Sequence, residues 1–575
     1  MAKKSKKEEG DAFIRDVKDR YRESVEGWQH VYDEATDDLR FVYDVDGGQW
    51  SESAKKLRKN RPMITSNKLQ KVLRRIRGDG LMNRPRMSVI PVDSVADPGV
   101  AKLYDGIFRE IEYLSAADIA YDTAYNHALS SSVGFFRIIT QFIEGSFDQE
   151  IRIKRIINPQ SVHFDPYAVD FNLEDAEHCF YEDLLKKDRF KSLYPKATVS
   201  DFDSSSTATL FGDWMQGDKV RVCEYFKKET FQKKIGLTKT GLIIPLEHDN
   251  TARAYFELTG DEVIRDRMEE SHIVKWYKLS GGEILDENVW PGKYIPVVPM
   301  FGDEVVVEGK RYFISLARGG KGPQEMYNYW ASAATEAVAA APKNPFMVDH
   351  RQIKGFEKEW ESAHLRPAPF VRYKAIPGMQ KPSREPQAQV PTAILGMMQS
   401  MAYDIEDHLG QYESSKGEAS NERSRVAIDA RINQSDKGTY LYVNNRTRAM
   451  VYGGRQIVDL IPKIYETERA LVIMGEDGQH QVADVNVPSV KGIHNDLSIG
   501  RYDLISSPGA SFSSQRQEMV STMERAMQYA GPDVAAIIAP LLFKYSDSPG
   551  SKEIADEITK RVDQAQAQAQ QQGPR

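Results

Sequence analysis

Apolar positions recur every three or four residues over 11–46, where Phe13, Val17, Tyr21, Val25 and Trp28 fall on one side of an expected helix. A second helical stretch is expected at about 67–79. Asn83, Arg84 and Pro85 break it, and the run 87–92 predicts a short strand. Over 97–131 the helical pattern returns, with Asp97 suited to an N-cap and Pro98 to the first helical position. The period then shortens to two. Phe136, Ile138 and Thr140, and after them Ile151, Ile153 and Arg155, alternate around Gly145 and Ser146 as paired strands would. Residues 219–313 predict further strands, with turn signals at Gly260-Asp261, Gly281-Gly282 and Gly302-Asp303; Ser204 to Ser206 read as an exposed loop.

The middle of the chain has a different texture. Residues 322–341 (GPQEMYNYWASAATEAVAAA) predict a helix with seven alanines and two charges, Glu325 and Glu336. Pro342, Pro345, Pro367, Pro369, Pro377, Pro382 and Pro386 then mark a compact, loop-rich module. From Pro391 a second helix carries Ile394, Met398, Met401, Ile405 and His408, and Gly410 is placed to end it. A polar stretch, 410–424, precedes a helical pattern that runs to Ile461, before Pro462. Unbroken, its roughly 38 residues would reach about 57 Å, with kinks expected at Gly438 and at Gly453-Gly454. Strands are expected over 470–505, helices over 513–545 and 551–570, and the tail QAQAQAQQQGPR is of low complexity. The expected fold class is α+β, predominantly α-helical.

Length changes this picture by allowing two to four structural units in 575 residues. Mean hydropathy is −0.53 and no run approaches the roughly 18 apolar residues of a membrane span. The nearest, 327–341, is interrupted by Asn328, Ser332, Thr335 and Glu336. The basic N-terminus lacks an apolar stretch behind it, so it reads as a solvated arm and not a secretory signal. Cys179 and Cys223 are too few for a disulfide framework or a four-cysteine zinc site. A net charge of −7 argues against a tight nucleic-acid binder, but does not exclude a protein that DNA must slide past.

Candidate chemistry is sparse. No phosphate-binding Walker loop is present; Gly319-Gly320-Lys321-Gly322 lacks the required spacing. Asp44, Asp46 and Gly47 resemble a calcium loop, but Lys55 stands where a bidentate Glu is required, so a plain turn is expected. Asp165, Asp170, Glu174 and Asp175 cluster as a nuclease-type metal site would, though Asp165-Pro166 is equally a turn initiator. Asn445 begins a glycosylation sequon. Arg74, Arg75, Arg77, Arg84 and Arg86 suit an intersubunit surface paired with acidic residues better than a phosphate-facing patch. No catalytic, metal or cofactor site is expected, and no cofactor.

Four segments resemble the portal proteins of short-tailed, P22-like bacteriophages. They are NRPRMSVIPVDSVADPGVAKLYDGIFREIEYLSAADIAYDTAYNHALSSSVGFFRI at 83–138, DQEIRIKRIINPQSVHFDP at 148–166, ISLARGGKGPQEMYNYWASAATEAVAAAPKNPFMVDHRQIKGFEKEW at 314–360, and NDLSIGRYDLISSPGASFSSQRQEM at 495–519. Two departures stand out: Val133-Gly134-Phe135-Phe136 where relatives often have Gly-Gly or Gly-Trp, and a C-terminus too short for a long helical barrel.

The resemblance implies a ring homo-oligomer, a dodecamer, at one capsid vertex of the virion, made in the host bacterial cytoplasm. Its parts would be an arm at 1–20, a wing over 21–321, a first stem helix at 322–341, a clip at 342–390 and a second stem helix at 391–409. A tunnel loop at 410–424, a wing return with a long kinked helix at 425–512, and a helical crown with its tail at 513–575 would complete it. Double-stranded DNA would pass through the channel during packaging and ejection, with Lys416, Arg423 and Arg425 offering transient phosphate contacts. Lys343, Arg351, Lys354 and Lys358 of the clip would dock a terminase and then a tail adaptor. Major capsid and scaffolding proteins are further implied partners, with no membrane. The resemblance implies no enzyme; ATP hydrolysis would belong to the terminase. The rival reading is another virion component, such as a head–tail adaptor without a channel role, which has no reason to contain the helix–module–helix unit.

Overall fold

A computed structural model describes residues 6–82, 84–93, 96–197, 215–216, 218–239, 243–246, 262–281, 283–340, 346–363, 370–384, 392–410, 440–475, 480–489, 492–507 and 522–527, with 538–539, 542 and 558. Among the described residues 44% are helical and 29% lie in strands, a mixed α+β fold. The longer helices are α1 (Lys6–Val42), α2 (Lys68–Met82), α3 (Pro98–Ser115), α4 (Ala117–Ser131), α5 (Lys321–Ala340), α6 (Thr392–His408) and α7 (Tyr440–Ile464). The chain divides into two units. One comprises 1–38, 74–316 and 413–575, the other 39–73 and 317–412.

In the first unit the main sheet is antiparallel throughout. Its strands run β8 (Ile284–Trp290), β7 (Val263–Leu279), β6 (Lys219–Thr238), β5 (His178–Lys186), β4 (Val162–Phe164), with two short strands on β6. A second sheet orders β9 (Val297–Phe301), β2 (Val133–Phe142) and β3 (Gln149–Arg155). The expected hairpin around Gly145 is the β2–β3 pair, with that glycine at φ +77°. Further antiparallel pairs include β1 (Arg86–Pro91) with β14 (Tyr502–Ser507), β10 (Asp303–Val307) with β11 (Lys310–Ile314), and β12 (Arg469–Met474) with β13 (His480–Val485). Glu308 and Gly309, both at positive φ, turn β10 into β11, whereas Gly302-Asp303 is the junction between β9 and β10. Gly260-Asp261 lies outside the described residues.

The apolar stripe of α1 does what its spacing predicts. Trp28 enters a cluster with Phe164, Phe301 and Phe313, and donates its indole N–H to the Phe164 carbonyl at 3.0 Å. Val17 and Tyr21 enter a second cluster with Phe180, Cys223 and Tyr225. Both cysteines are fully buried and free, and burial pushes each thiol well up. The aromatic pairs (Phe301–Phe313 stack at 4.1 Å) combine area burial with ring geometry.

Two helical expectations differ in detail. Residues 97–131 form two helices, because Ala116 takes a left-handed φ of 45° and ends α3 with its N–H on the Tyr113 carbonyl. Asp97 does cap α3, accepting from the Gly99 N–H at 2.7 Å, with Pro98 behind it. Pro462 sits inside α7 and not beyond it. A proline there removes one backbone bond, the one its N–H would make to the Val458 carbonyl. Gly134 shows why a side chain is excluded at the start of β2: a Cβ there would lie 2.1 Å from the Ala124 carbonyl oxygen of α4. Of the C-terminal helices, 522–527 is helical, and most of 513–570 lies outside the described residues.

Candidate channel and docking site

The second unit holds the helix–module–helix arrangement. Helix α5 packs on α6, and Gly319, just before α5, lies beside His408 at the end of α6, so the two run antiparallel. On α6 the internal face is the expected one: Ile405 is fully buried and Ile394, Met398 and Met401 are partly covered. Gly410 follows at φ +66°, a helix-terminating conformation.

What roots α5 is a stripe of amides and a hydroxyl. Gln324, Asn328 and Ser332 recur every fourth residue and are fully buried. They bind residues 64–69, the segment that leads into the first turn of α2, through its backbone. Ser332 Oγ accepts from the Ile64 N–H at 2.9 Å and Asn328 Oδ1 from the Ser66 N–H at 3.0 Å. Gln324 Oε1 accepts from the N–H groups of both Lys68 and Leu69 at 2.9 Å, while its Nε2 donates to the Ser66 carbonyl. Asn328 Nδ2 also donates to Gln49 Oε1 at 2.8 Å. Buried polar groups hold only when paired, and these are. From sequence, Asn328 and Ser332 served only to exclude a membrane span; the four-residue repeat of Gln, Asn and Ser was the available signal.

Between the helices, Phe346–Met347 pairs with Ser383–Arg384. Gln352, 2% exposed, pins the module by donating to the Gln380 carbonyl at 2.9 Å and accepting from the Lys374 N–H at 2.8 Å through its backbone. Trp360 donates its indole N–H to the Arg372 carbonyl at 2.8 Å and stands edge-on to Phe346. Of the expected docking residues, Arg351, Lys354 and Lys358 are exposed on this module, and Arg351 is held to the Asp349 carboxylate at 3.0 Å. Lys343 lies outside the described residues, as do Lys416, Arg423, Arg425 and all of 411–439.

The other candidates resolve into structural roles. The Asp165 carboxylate accepts from the N–H groups of Tyr167 (3.0 Å) and Glu177 (3.1 Å), and that of Asp175 from Val169 (2.6 Å) and Asp170 (3.1 Å). They cap turns, and among the described residues no three His, Cys, Asp or Glu side chains converge to hold a metal. Lys55 donates to the Asp46 carbonyl at 3.2 Å, so the Asp44–Gly47 loop is a turn closed by the chain's own cation. Asn445 is buried and donates to the Gly302 carbonyl at 2.8 Å, which bars glycosylation of the folded chain. In the arginine cluster, Arg84 pairs with Asp118 (3.4 Å) and Asp122 (2.5 Å). Arg446, 1% exposed, joins the same Asp122 at 3.0 Å, donates to the Gly80 carbonyl and covers the Tyr125 ring. Sequence reasoning missed Arg446 entirely. A cation in an otherwise apolar helix face was its signal.

A family model for phage P22-like portal proteins matches residues 18–575. The chain belongs to that family. The portal is also similar to the "Portal protein" of Acyrthosiphon pisum secondary endosymbiont phage 1, with 24% identity over 523 residues, 83% of this chain and 71% of that one. A portal is a structural component of the virion, and genome packaging through its DNA channel at a capsid vertex follows from the family. Among the described residues of this portal, no helix is long and apolar enough to cross a membrane.

Proposed function

We propose that the second unit is the stem and clip of a dodecameric ring, and that the chain docks a packaging terminase and later a tail adaptor through the module at 342–390. The observation that carries this reading is the antiparallel pair α5–α6 with the two-stranded, proline-rich module between them. Such a hairpin of helices offers a wall element and a protruding tip in one unit. The exposed apolar side chains Leu395 and Tyr403 on α6, and Met326 and Val338 on α5, supply surface for the same helices of a neighbouring copy. The cations Arg351, Lys354 and Lys358 at the tip suit an acidic partner surface, and Lys343 would add to them.

The loop at 410–424, rich in Ser and Gly, would face the DNA, with Lys416, Arg423 and Arg425 as passing contacts. An acidic lumen would keep phosphate from sticking. Major capsid and scaffolding proteins would contact the ring in the capsid, after synthesis in the host cytoplasm. The test is packaging and genome retention in particles carrying charge reversals. Reversing Arg351, Lys354 and Lys358 together should abolish packaging while rings still form. Reversing Lys416, Arg423 and Arg425 together should slow packaging or release the genome early. Normal packaging by the first triple variant, or normal packaging together with normal genome retention by the second, would overturn that assignment.

A further inference from the structure

One cleft of the first unit has no part in the stem and clip. It is about 760 Å³ in volume and opens between α1 and the turn 165–178. Six carboxylates line it, from Asp16, Asp19, Glu23, Glu26, Asp165 and Glu177, against the two guanidiniums of Arg20 and Arg22. Those guanidiniums are already engaged: Arg20 with Asp16 at 3.2 Å and Glu177 at 3.8 Å, Arg22 with Asp19 at 3.4 Å. Glu23 and Glu26 remain as exposed carboxylates one helical turn apart on α1. Tyr167, 72% exposed, reaches across the cleft to donate its hydroxyl to Glu23 at 2.6 Å, which places an aromatic ring beside the carboxylates.

The second observation is at His178, which also lines the cleft and is 3% exposed. Its Nε2 is paired with Ser24 Oγ at 2.9 Å, but its Nδ1 is buried without a hydrogen-bond partner. A buried polar atom left unpaired is costly and calls for an explanation. Burial pushes the imidazole pKa down, so at neutral pH the ring carries no charge of its own. When Nε2 donates to Ser24, Nδ1 is left as an acceptor, on a ring that feels the charges of Asp165, Glu177 and Glu23.

We propose that this cleft receives an arginine side chain from a basic segment of a partner protein. The chemistry is specific. A guanidinium is planar and carries five donors, which matches acceptors spread over two carboxylates and an imidazole nitrogen. The ring of Tyr167 offers it a face to stack on. A divalent ion fits worse, since no three ligating side chains among the described residues converge. Nucleic acid is repelled by the same charge. The inference does not depend on the channel reading, and its failure would leave that reading untouched.

The test uses the full chain and a fluorescein-labelled hexa-arginine peptide, with binding read by anisotropy at low and physiological salt. The double variant Glu23→Gln, Glu26→Gln should bind at least about tenfold more weakly. The control, Asp286→Asn with Glu287→Gln on β8, makes the same change in net charge and should bind as the parent does. A hexalysine peptide should bind the parent several-fold more weakly than hexa-arginine. Equal loss in the two double variants would mean attraction to net charge alone, and would overturn the proposal. So would an unaffected cleft variant, equal binding of the two peptides, or no binding by the parent at low salt.

Discussion

Arg446 binds three helices at one point. Its guanidinium joins the Gly80 carbonyl of α2, the Asp122 carboxylate of α4 and the Tyr125 ring, from a position on α7. Truncating it leaves the buried Gly80 carbonyl unpaired, a loss of about 1–3 kcal/mol, and leaves Asp122 with Arg84 as its remaining cation. Arg446→Ala should therefore lower the urea midpoint of the chain substantially, whereas Arg448→Ala, one helical step away, should not. Two carboxylates should respond to pH in opposite senses. Glu182 is buried against His163 (3.2 Å), Arg221 (3.2 Å) and the Tyr21 hydroxyl. Burial raises its pKa, but those partners outweigh it and hold the carboxyl below its ordinary 4.5. Its contribution is present above 4.5 and is lost as pH falls further, so Glu182→Gln should flatten the acid limb of a stability profile. Glu112, enclosed between α3 and α4 and bonded to the Tyr121 hydroxyl at 3.0 Å, is pushed up to about 7, chiefly by burial. The folded chain then holds a proton that the unfolded chain releases near 4.5, so stability declines as pH rises from 4.5 through 7. Glu112→Gln should stabilise the protein at pH 8 and change little at pH 5; thermal melts at the two pH values distinguish these outcomes.

At the scale of elements, much of the architecture was legible because the apolar spacing had a single explanation. The stripe from Phe13 to Trp28 on α1, the alternation around Gly145 and the alanine-rich α5 each match their element closely. Other features carried no such mark. Ala116 is a poor advertisement for a left-handed break, since alanine is the best helix former, so the helical pattern over 97–131 does not mark the boundary between α3 and α4. The stripe Gln324, Asn328, Ser332 reads like a solvated face, because its partners are backbone amides 255 to 268 positions away. The same blindness applies to Gln352 and Trp360, whose acceptors are carbonyls. The stripe has a measurable consequence. Asn328→Leu strands the Ser66 N–H and the Gln49 side-chain oxygen, at about 1–3 kcal/mol for each buried group left unmade. Because the loss is local to the 64–69 segment, trypsin should cut faster after Lys68 in this variant, with cleavage after Lys227 in β6 unchanged.

For the whole molecule, the family implies a ring, and its size is the first quantity to determine. A dodecamer of this 65.2 kDa chain would have a native mass of about 780 kDa and a central channel in negative-stain images. A monomeric or dimeric mass at every concentration would make assembly depend on capsid or scaffold partners. Mass alone separates neighbouring ring sizes poorly. The two cysteines provide a sharper count. Cys179 and Cys223 lie in the interior with their thiols held protonated, so maleimide dyes should leave the folded chain dark. Leu57, 81% exposed, is a place where Leu57→Cys would add one reactive thiol per chain. Each assembled particle would then carry one fluorophore per subunit, and the number of photobleaching steps in a single particle would be the number of copies around the ring.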